Sequence, residues 1–151
     1  MKALFVIAAC FTLFTGARGL EVAKDEKVDP AKLDGAWTIT AWEQGGATMP
    51  LERLSVARMT IKGDQYNFEL GAKKEEGALK LDAGTSPTSI DLTISSGTEK
   101  GERQLGICRV EGDSLTICLA RPGMKDRPTE FTSTKANRQV LMTLQRTTKG
   151  K

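Results

Sequence analysis

The chain contains no histidine, and this absence removes several classes of active site. Ser-His-Asp and Cys-His catalysis, and metal sites built on imidazole, all require that side chain. Carboxylate pairs remain as candidates, but Asp82, Asp113 and Asp126 lie at turns or in loops, where aspartate is common for conformational reasons. The sequence therefore predicts a non-catalytic protein that holds neither a metal nor another cofactor.

A strong excess of charge of one sign is also missing. The formal net charge is +3, aromatic residues make up 5% of the chain, and the lysines and arginines are scattered rather than clustered. Nucleic-acid binding normally uses a basic stripe with interleaved aromatic side chains. Nucleic acid is therefore not an expected partner.

The chain begins with an apolar run that is too short to span a bilayer. Residues 3–14 form a run of 12 residues, whereas a transmembrane helix needs roughly 20. Lys2 precedes the run and small residues follow it, which is the layout of a secretory signal peptide. Cleavage after Ala17 or Gly19 would suit the small-residue rule, and we favour a signal peptide at residues 1–19. The protein is therefore expected to be exported, either to the periplasm or as a secreted protein.

Residues 7–10 also resemble a lipoprotein cleavage box, with Cys10 as the lipidated residue. The apolar run before Cys10 is shorter than a signal peptide normally needs, and apolar residues continue after it. Anchoring through Cys10 is accordingly disfavoured.

Cysteine is scarce, and Cys108 and Cys118 are the two that remain after residue 19. Gly-Asp at residues 112–113 is a tight-hairpin signal between two apolar runs. A two-residue loop there pairs Cys108 with Ile117, so Cys108 and Cys118 face opposite sides of the sheet. A disulfide between them is disfavoured, although a bulge or a longer loop would reverse the parity.

Helical periodicity is absent after residue 19, whereas alternation with a period of two recurs along the chain. The charged segment 20–32 is expected to be a solvated lead-in that ends in one helical turn, with Asp29 as its cap. Segment 50–57 fits either a short helix or a strand lead-in, and the polar segment 71–76 is expected to be a loop. Eight segments fit strands, at residues 37–44, 58–61, 65–70, 78–81, 89–95, 105–110, 115–120 and 139–146.

This spacing of short strands is typical of an all-β barrel or sandwich. An up-and-down order needs only local hairpins and leaves no open edge. The sequence therefore predicts an all-β fold, a single antiparallel barrel of about eight short strands at residues 33–147, with a tail at 148–151.

Alternation also assigns the side chains to faces. Met59, Tyr66 and Phe68 are expected inside the barrel, where they would line any ligand cavity, although strands this short favour a mostly filled interior. Trp42, Ile107 and Leu141 are expected outside, where they would form an apolar patch for a protein partner.

Several short motifs occur in a fixed order and carry a family resemblance. They are LDGAW at residues 33–37, PTSIDL at 87–92, GI at 106–107, GDSL at 112–115, Cys118 and RPTEF at 127–131. The set resembles a family of small, mostly exported, lipocalin-like bacterial domains whose function is not established. The resemblance implies a lipocalin-like barrel and export, but brings no catalytic residue, ligand or partner. Cys108 departs from the family, which more often has tyrosine at that position.

The opening motif is also similar to the Gly-x-Trp signature of lipocalins, here Gly35 and Trp37. In lipocalins, an arginine near the end of the last strand covers this tryptophan, and Arg146 is in phase with the inward residues of the last strand. The resemblance thus implies a structural kernel in which the Arg146 guanidinium stacks on the indole of Trp37.

Asp91 and Arg127 form a second candidate pair of charged residues. Asp91 interrupts an apolar strand on its outer face, and Arg127 lies in the proline-rich segment that follows the hairpin of residues 105–120. They would form either the edge of a polar recognition site or an ion pair that ties this segment to the sheet. We favour the ion pair, because partly covered charges usually pair.

The leading functional hypothesis is an exported, non-catalytic barrel that binds a small apolar ligand. The alternative is an extracytoplasmic protein–protein interaction or inhibitor module with a filled barrel. A lined, empty cavity would favour the first hypothesis over the second.

Overall fold

The computed structural model describes residues 27–148. The signal peptide predicted at 1–19, the first part of the lead-in and the end of the tail lie outside these residues. The described chain begins with a 3-10 turn, Pro30–Lys32, and contains one short helix, α1, Leu51–Leu54. Its strands are β1 Gly35–Gln44, β2 Ala47–Thr48, β3 Ala57–Lys62, β4 Gln65–Leu70, β5 Lys73–Asp82, β6 Thr88–Ser96, β7 Arg103–Glu111, β8 Ser114–Leu119 and β9 Val140–Arg146.

These strands form one closed antiparallel barrel. Strands β1 and β3 to β9 pair in sequence order, and β9 returns to pair with β1, while the two-residue β2 extends the end of β1. The predicted fold, a single eight-stranded barrel of lipocalin-like architecture, is confirmed. Within residues 27–148, no helix is long and apolar enough to cross a membrane.

The hairpin of β7 and β8 has the predicted register. Gly112 adopts a positive φ of 60° in the turn, and Cys108 pairs with Ile117. Cys108 therefore faces the interior while Cys118 faces outward, as predicted, and both are free thiols. Burial raises the pKa of the Cys108 thiol to about 12, which keeps it protonated and unreactive.

One end of the barrel, which we call the base, is closed by packed side chains. Asp29 caps the 3-10 turn by accepting a hydrogen bond from the Ala31 amide at 3.0 Å, as the sequence predicts. The turn places Leu33 under the barrel, where its carbonyl accepts a hydrogen bond from Trp37 Nε1 at 2.9 Å. Leu33 and Trp37 are almost completely buried, so their side chains fill the interior of the barrel at this end.

The predicted contact of Arg146 with Trp37 is present at the base. The guanidinium carbon lies 4.3 Å from the indole centroid, and Arg146 also donates hydrogen bonds to the carbonyls of Lys32 and Asp34. Gly35 gives the guanidinium its room, because a Cβ at this residue would lie 2.7 Å from Arg146 Nη1. Its φ of 134° is a second reason why glycine is favoured there.

A bulge in β1 makes the predicted outward orientation of Trp42 wrong. The register against β9 shifts between Ile39 and Ala41, so Thr40 is an extra residue on the β1 side. One extra residue inverts the alternation that follows it. Trp42 consequently pairs with Met142 and turns into the barrel at the end opposite the base.

The outer face of β7 and β8 lies beneath segment 121–139. Arg127 donates a hydrogen bond to the Gly106 carbonyl at 2.8 Å, and the Thr132 carbonyl lies 3.5 Å from Cys118 Sγ. Ile107, on this face, is 2% exposed. The predicted apolar patch of Trp42, Ile107 and Leu141 therefore does not form, because one member points inward and another is covered.

Two smaller predictions about loops are also wrong. Segment 71–76 is not a loop throughout, since β5 begins at Lys73 and its residues 73–78 pair with β4. The lead-in is not solvated throughout, because Val28 is buried and its amide donates a hydrogen bond to Thr88 Oγ1, although residues 29–32 are exposed. The ambiguous segment 50–57 contains α1, whose Leu54 packs into the core.

Candidate functional site: the mouth cavity

The end of the barrel opposite the base, which we call the mouth, holds a cavity of about 160 Å³. Met59, Tyr66 and Phe68, the three residues predicted to line a ligand site, all line it. They belong to the neighbouring strands β3 and β4, where alternation places them on one face. The other lining residues are Trp42, Gln44, Lys73, Glu75, Leu92, Glu99, Gln104, Leu119, Arg121, Pro122, Val140 and Met142.

The apolar wall of the cavity contains an aromatic pair, Trp42 and Phe68. The rings of Trp42 and Phe68 lie 5.6 Å apart between centroids and are tilted by 39°. This geometry is within the range in which aromatic pairs attract each other. The buried Trp42 Nε1 has no hydrogen-bond partner in the part of the chain that the structure describes. A buried donor without a partner is costly.

The polar group of the cavity is a buried pair of Tyr66 and Glu75. The Tyr66 hydroxyl donates a hydrogen bond of 2.9 Å to Glu75 Oε1, and Glu75 is 9% exposed. Burial, together with the charge and the hydrogen bond of Glu75, raises the pKa of Tyr66 far above its ordinary value. The phenol therefore stays protonated and holds the carboxylate in place.

A glycine allows this pair to form. Gly77 faces Tyr66 across β4 and β5, and a Cβ at Gly77 would lie 2.7 Å from the Tyr66 ring and would collide with the Thr93 carbonyl oxygen. The ring therefore occupies the space that a side chain would fill, and its hydroxyl extends past Gly77 to Glu75.

The rim of the cavity carries both signs of charge. Lys73, Glu99 and Arg121 are exposed side chains around the opening. Deeper in, the amide of Gln104 donates a hydrogen bond of 3.1 Å to the Ala120 carbonyl, and this bond fixes its orientation. Glu75 is therefore an acidic side chain that is buried in the cavity wall, whereas the charged side chains of the rim are exposed to water.

Asp91 and Arg127 lie apart from the cavity, on the outer face of the sheet. Arg127 Nη1 is 2.6 Å from Asp91 Oδ1, and Arg103 pairs with the other carboxylate oxygen. Burial alone would raise the pKa of Asp91, but the hydrogen bonds and charges of the two arginines lower it below its ordinary value. The pair ties segment 121–139 to β6, which is the arrangement that we favoured from the sequence.

Within residues 27–148, no group of three or more cysteine, aspartate and glutamate side chains is arranged to hold a metal ion. The cavity instead offers aromatic faces, thioether groups and one hydrogen-bonded carboxylate. Such a surface can bind a small molecule by burial and by charge.

Sequence reasoning named Met59, Tyr66 and Phe68 but not the other lining residues, of which Trp42, Glu75 and Gln104 matter most for the chemistry of the cavity. Trp42 was assigned to the wrong face because of the bulge. Glu75 was placed in a loop, although residues 75, 77, 79 and 81 alternate in phase with the inward side of β5. That phase is a signal that could have placed Glu75 inside the barrel.

The chain matches no protein-family model, no curated protein and no solved structure. The resemblance to exported lipocalin-like domains therefore stays a prediction that rests on the motifs.

Proposed function

We propose that the protein is an exported, non-catalytic barrel that binds a small, largely apolar ligand in the mouth cavity. The observation that carries the proposal is the contrast between the two ends of the barrel. The base is filled by Leu33, Trp37 and Arg146, whereas the mouth keeps an open space lined by large apolar side chains. A barrel that needed its interior for stability alone would gain by filling both ends.

The volume of the cavity limits the size of the ligand group that it can hold. An engineered cavity of about 150 Å³ in another protein holds one benzene molecule. A space of about 160 Å³ therefore accepts one ring or one branched alkyl group, with any longer part of the ligand extending through the mouth. The absence of histidine from the sequence supports binding without catalysis.

Methionine methyl groups provide the test of binding. Met59 and Met142 line the cavity, whereas Met124 is exposed and lies outside the lining. In protein labelled with ¹³C at the methionine methyl groups, titration with the neutral probe 3,3-dimethyl-1-butanol should shift the signals of Met59 and Met142 and saturate. The Met124 signal should stay unchanged. Shifts that do not saturate, or that are equal at all three, would refute a site at the mouth.

Export is a separate part of the proposal and rests on residues 1–19. Intact-mass measurement on protein recovered from outside the cytoplasm should show a mature chain that begins between Arg18 and Leu20. A lipidated product that begins at Cys10, or a full-length chain, would contradict it.

A further inference from the structure

We infer that the ligand of the mouth cavity is a small organic cation, an amine or a quaternary ammonium group on an apolar body. This inference rests on the proposed binding function and specifies its ligand class. The cation would be held between the Glu75 carboxylate and the aromatic faces of Trp42, Tyr66 and Phe68.

The first argument is the position of Glu75. Its side chain belongs to a residue that is 9% exposed, and its hydrogen-bond partner is the neutral hydroxyl of Tyr66. No lysine or arginine within residues 27–148 forms an ion pair with it. Buried carboxylates are normally paired with a cation, because a buried charge without a counter-charge is costly. A cationic ligand would supply the missing partner.

The second argument is the surface that surrounds this carboxylate. Phe68 lies directly opposite Glu75 in the pairing of β4 and β5, and Trp42 packs against Phe68. Tyr66 is the next inward residue of β4 and holds the carboxylate. Aromatic faces attract cations through the ring quadrupole, and several such faces around one site are the usual means of binding quaternary ammonium groups.

The third argument concerns the charges at the rim. Lys73 and Arg121 border the opening and would favour an anion, but both are exposed, and Glu99 lies on the same rim. Water and salt screen exposed charges strongly, whereas a charge in the cavity wall is screened much less in its interaction with a bound group. The interior carboxylate should therefore decide the sign of the ligand.

Three probes of nearly equal shape test whether the cavity prefers a cation, a neutral molecule or an anion. Choline, 3,3-dimethyl-1-butanol and 3,3-dimethylbutanoate all carry a compact branched head, and they differ in charge: cationic, neutral and anionic. With binding followed by the Met59 and Met142 methyl signals, choline should bind at least roughly tenfold more tightly than the neutral alcohol, about 1.4 kcal/mol. The carboxylate should bind most weakly.

Variants then test whether Glu75 and Trp42 cause the preference for choline over the neutral alcohol. Glu75→Gln keeps the shape and an acceptor for Tyr66, and it should remove the preference for choline while the neutral alcohol binds as before. Glu76→Gln is the matched control, since Glu76 is the next residue of β5, exposed on the outer face and hydrogen-bonded to Asn67. It should leave all three affinities unchanged. Trp42→Leu, which removes one aromatic face, should also weaken choline more than the alcohol.

The outcomes distinguish this inference from the proposed function. If the alcohol and choline bind equally, or if both Glu75→Gln and Trp42→Leu leave the preference for choline intact, the cation inference is overturned while binding at the mouth stands. Tightest binding of the carboxylate would also overturn it, in favour of recognition at the rim. If none of the probes binds, the proposed function and the cation inference are both refuted.

Discussion

The stacking of Arg146 on Trp37 should contribute measurable coupling energy to the stability of the barrel. The perturbation is a double-mutant cycle of Arg146→Met with Trp37→Leu. Methionine keeps much of the apolar stem of Arg146 but removes its charge and its donors. Leucine keeps an apolar side chain at residue 37 but removes the aromatic face.

The magnitude follows from the contacts of each side chain. Arg146 donates to the carbonyls of Lys32 and Asp34 at 2.6 and 2.8 Å, and its side chain is 30% exposed. Hydrogen bonds to a charged group contribute about 1.5–3 kcal/mol each when buried, so these two together should contribute about 2–3 kcal/mol. The ion pair with Asp113 adds little, because that carboxylate is 76% exposed. Stacking on Trp37 adds about 0.5–2 kcal/mol.

Arg146→Met should therefore lower the free energy of unfolding by about 3–4 kcal/mol, and Trp37→Leu by about 3 kcal/mol. Only the stacking is shared by both residues, so the coupling energy should be about 1 kcal/mol. The assay is urea unfolding followed by far-ultraviolet circular dichroism. A control cycle of Trp37→Leu with Arg103→Met should be additive, because Arg103 pairs with Asp91 instead. A coupling energy below about 0.3 kcal/mol for Arg146 would refute the stacking argument.

Phe68→Ala should cost about 3 kcal/mol, the low end for a core phenylalanine because Phe68 already borders a cavity, whereas Glu69→Ala on the outer face should stay within about 0.5 kcal/mol. Comparable losses of denaturant midpoint for the two variants would contradict the register of β4. Asp91→Asn should lower stability by about 1–2 kcal/mol at neutral pH, because it removes the charged partner of Arg127. Since the folded pKa of Asp91 lies below its ordinary value of 3.8, the stabilisation is complete above that pH and is lost as the pH falls through the folded pKa. The difference between wild type and Asp91→Asn in denaturant titrations should therefore shrink below about pH 4, and a difference that grows there would exclude this ion pair as its source.

The sequence alone determined those features that depend on local alternation and turn chemistry. The Gly-Asp turn fixed the register of β7 and β8, so Cys108 and Cys118 were correctly placed on opposite faces. Met59, Tyr66 and Phe68 were placed correctly inside for the same reason, because β3 and β4 are regular and joined by a short turn. The inward phase of β9, combined with the lipocalin resemblance, likewise predicted the contact of Arg146 with Trp37.

The tertiary structure decided the features that depend on pairing partners distant in sequence. The bulge at Thr40 is defined by the register of β1 against β9, about 100 residues later, and that register turns Trp42 into the mouth. Ile107 is buried because segment 121–139 crosses its face, which no local pattern indicates. Glu75 became part of the cavity because β5 keeps pairing with β4 through a polar segment, where backbone hydrogen bonding outweighs composition. Local sequence thus determined which side chains of each regular strand share a face. The pairing of distant strands and the segments that cover the sheet determined which of these side chains are buried and which line the cavity.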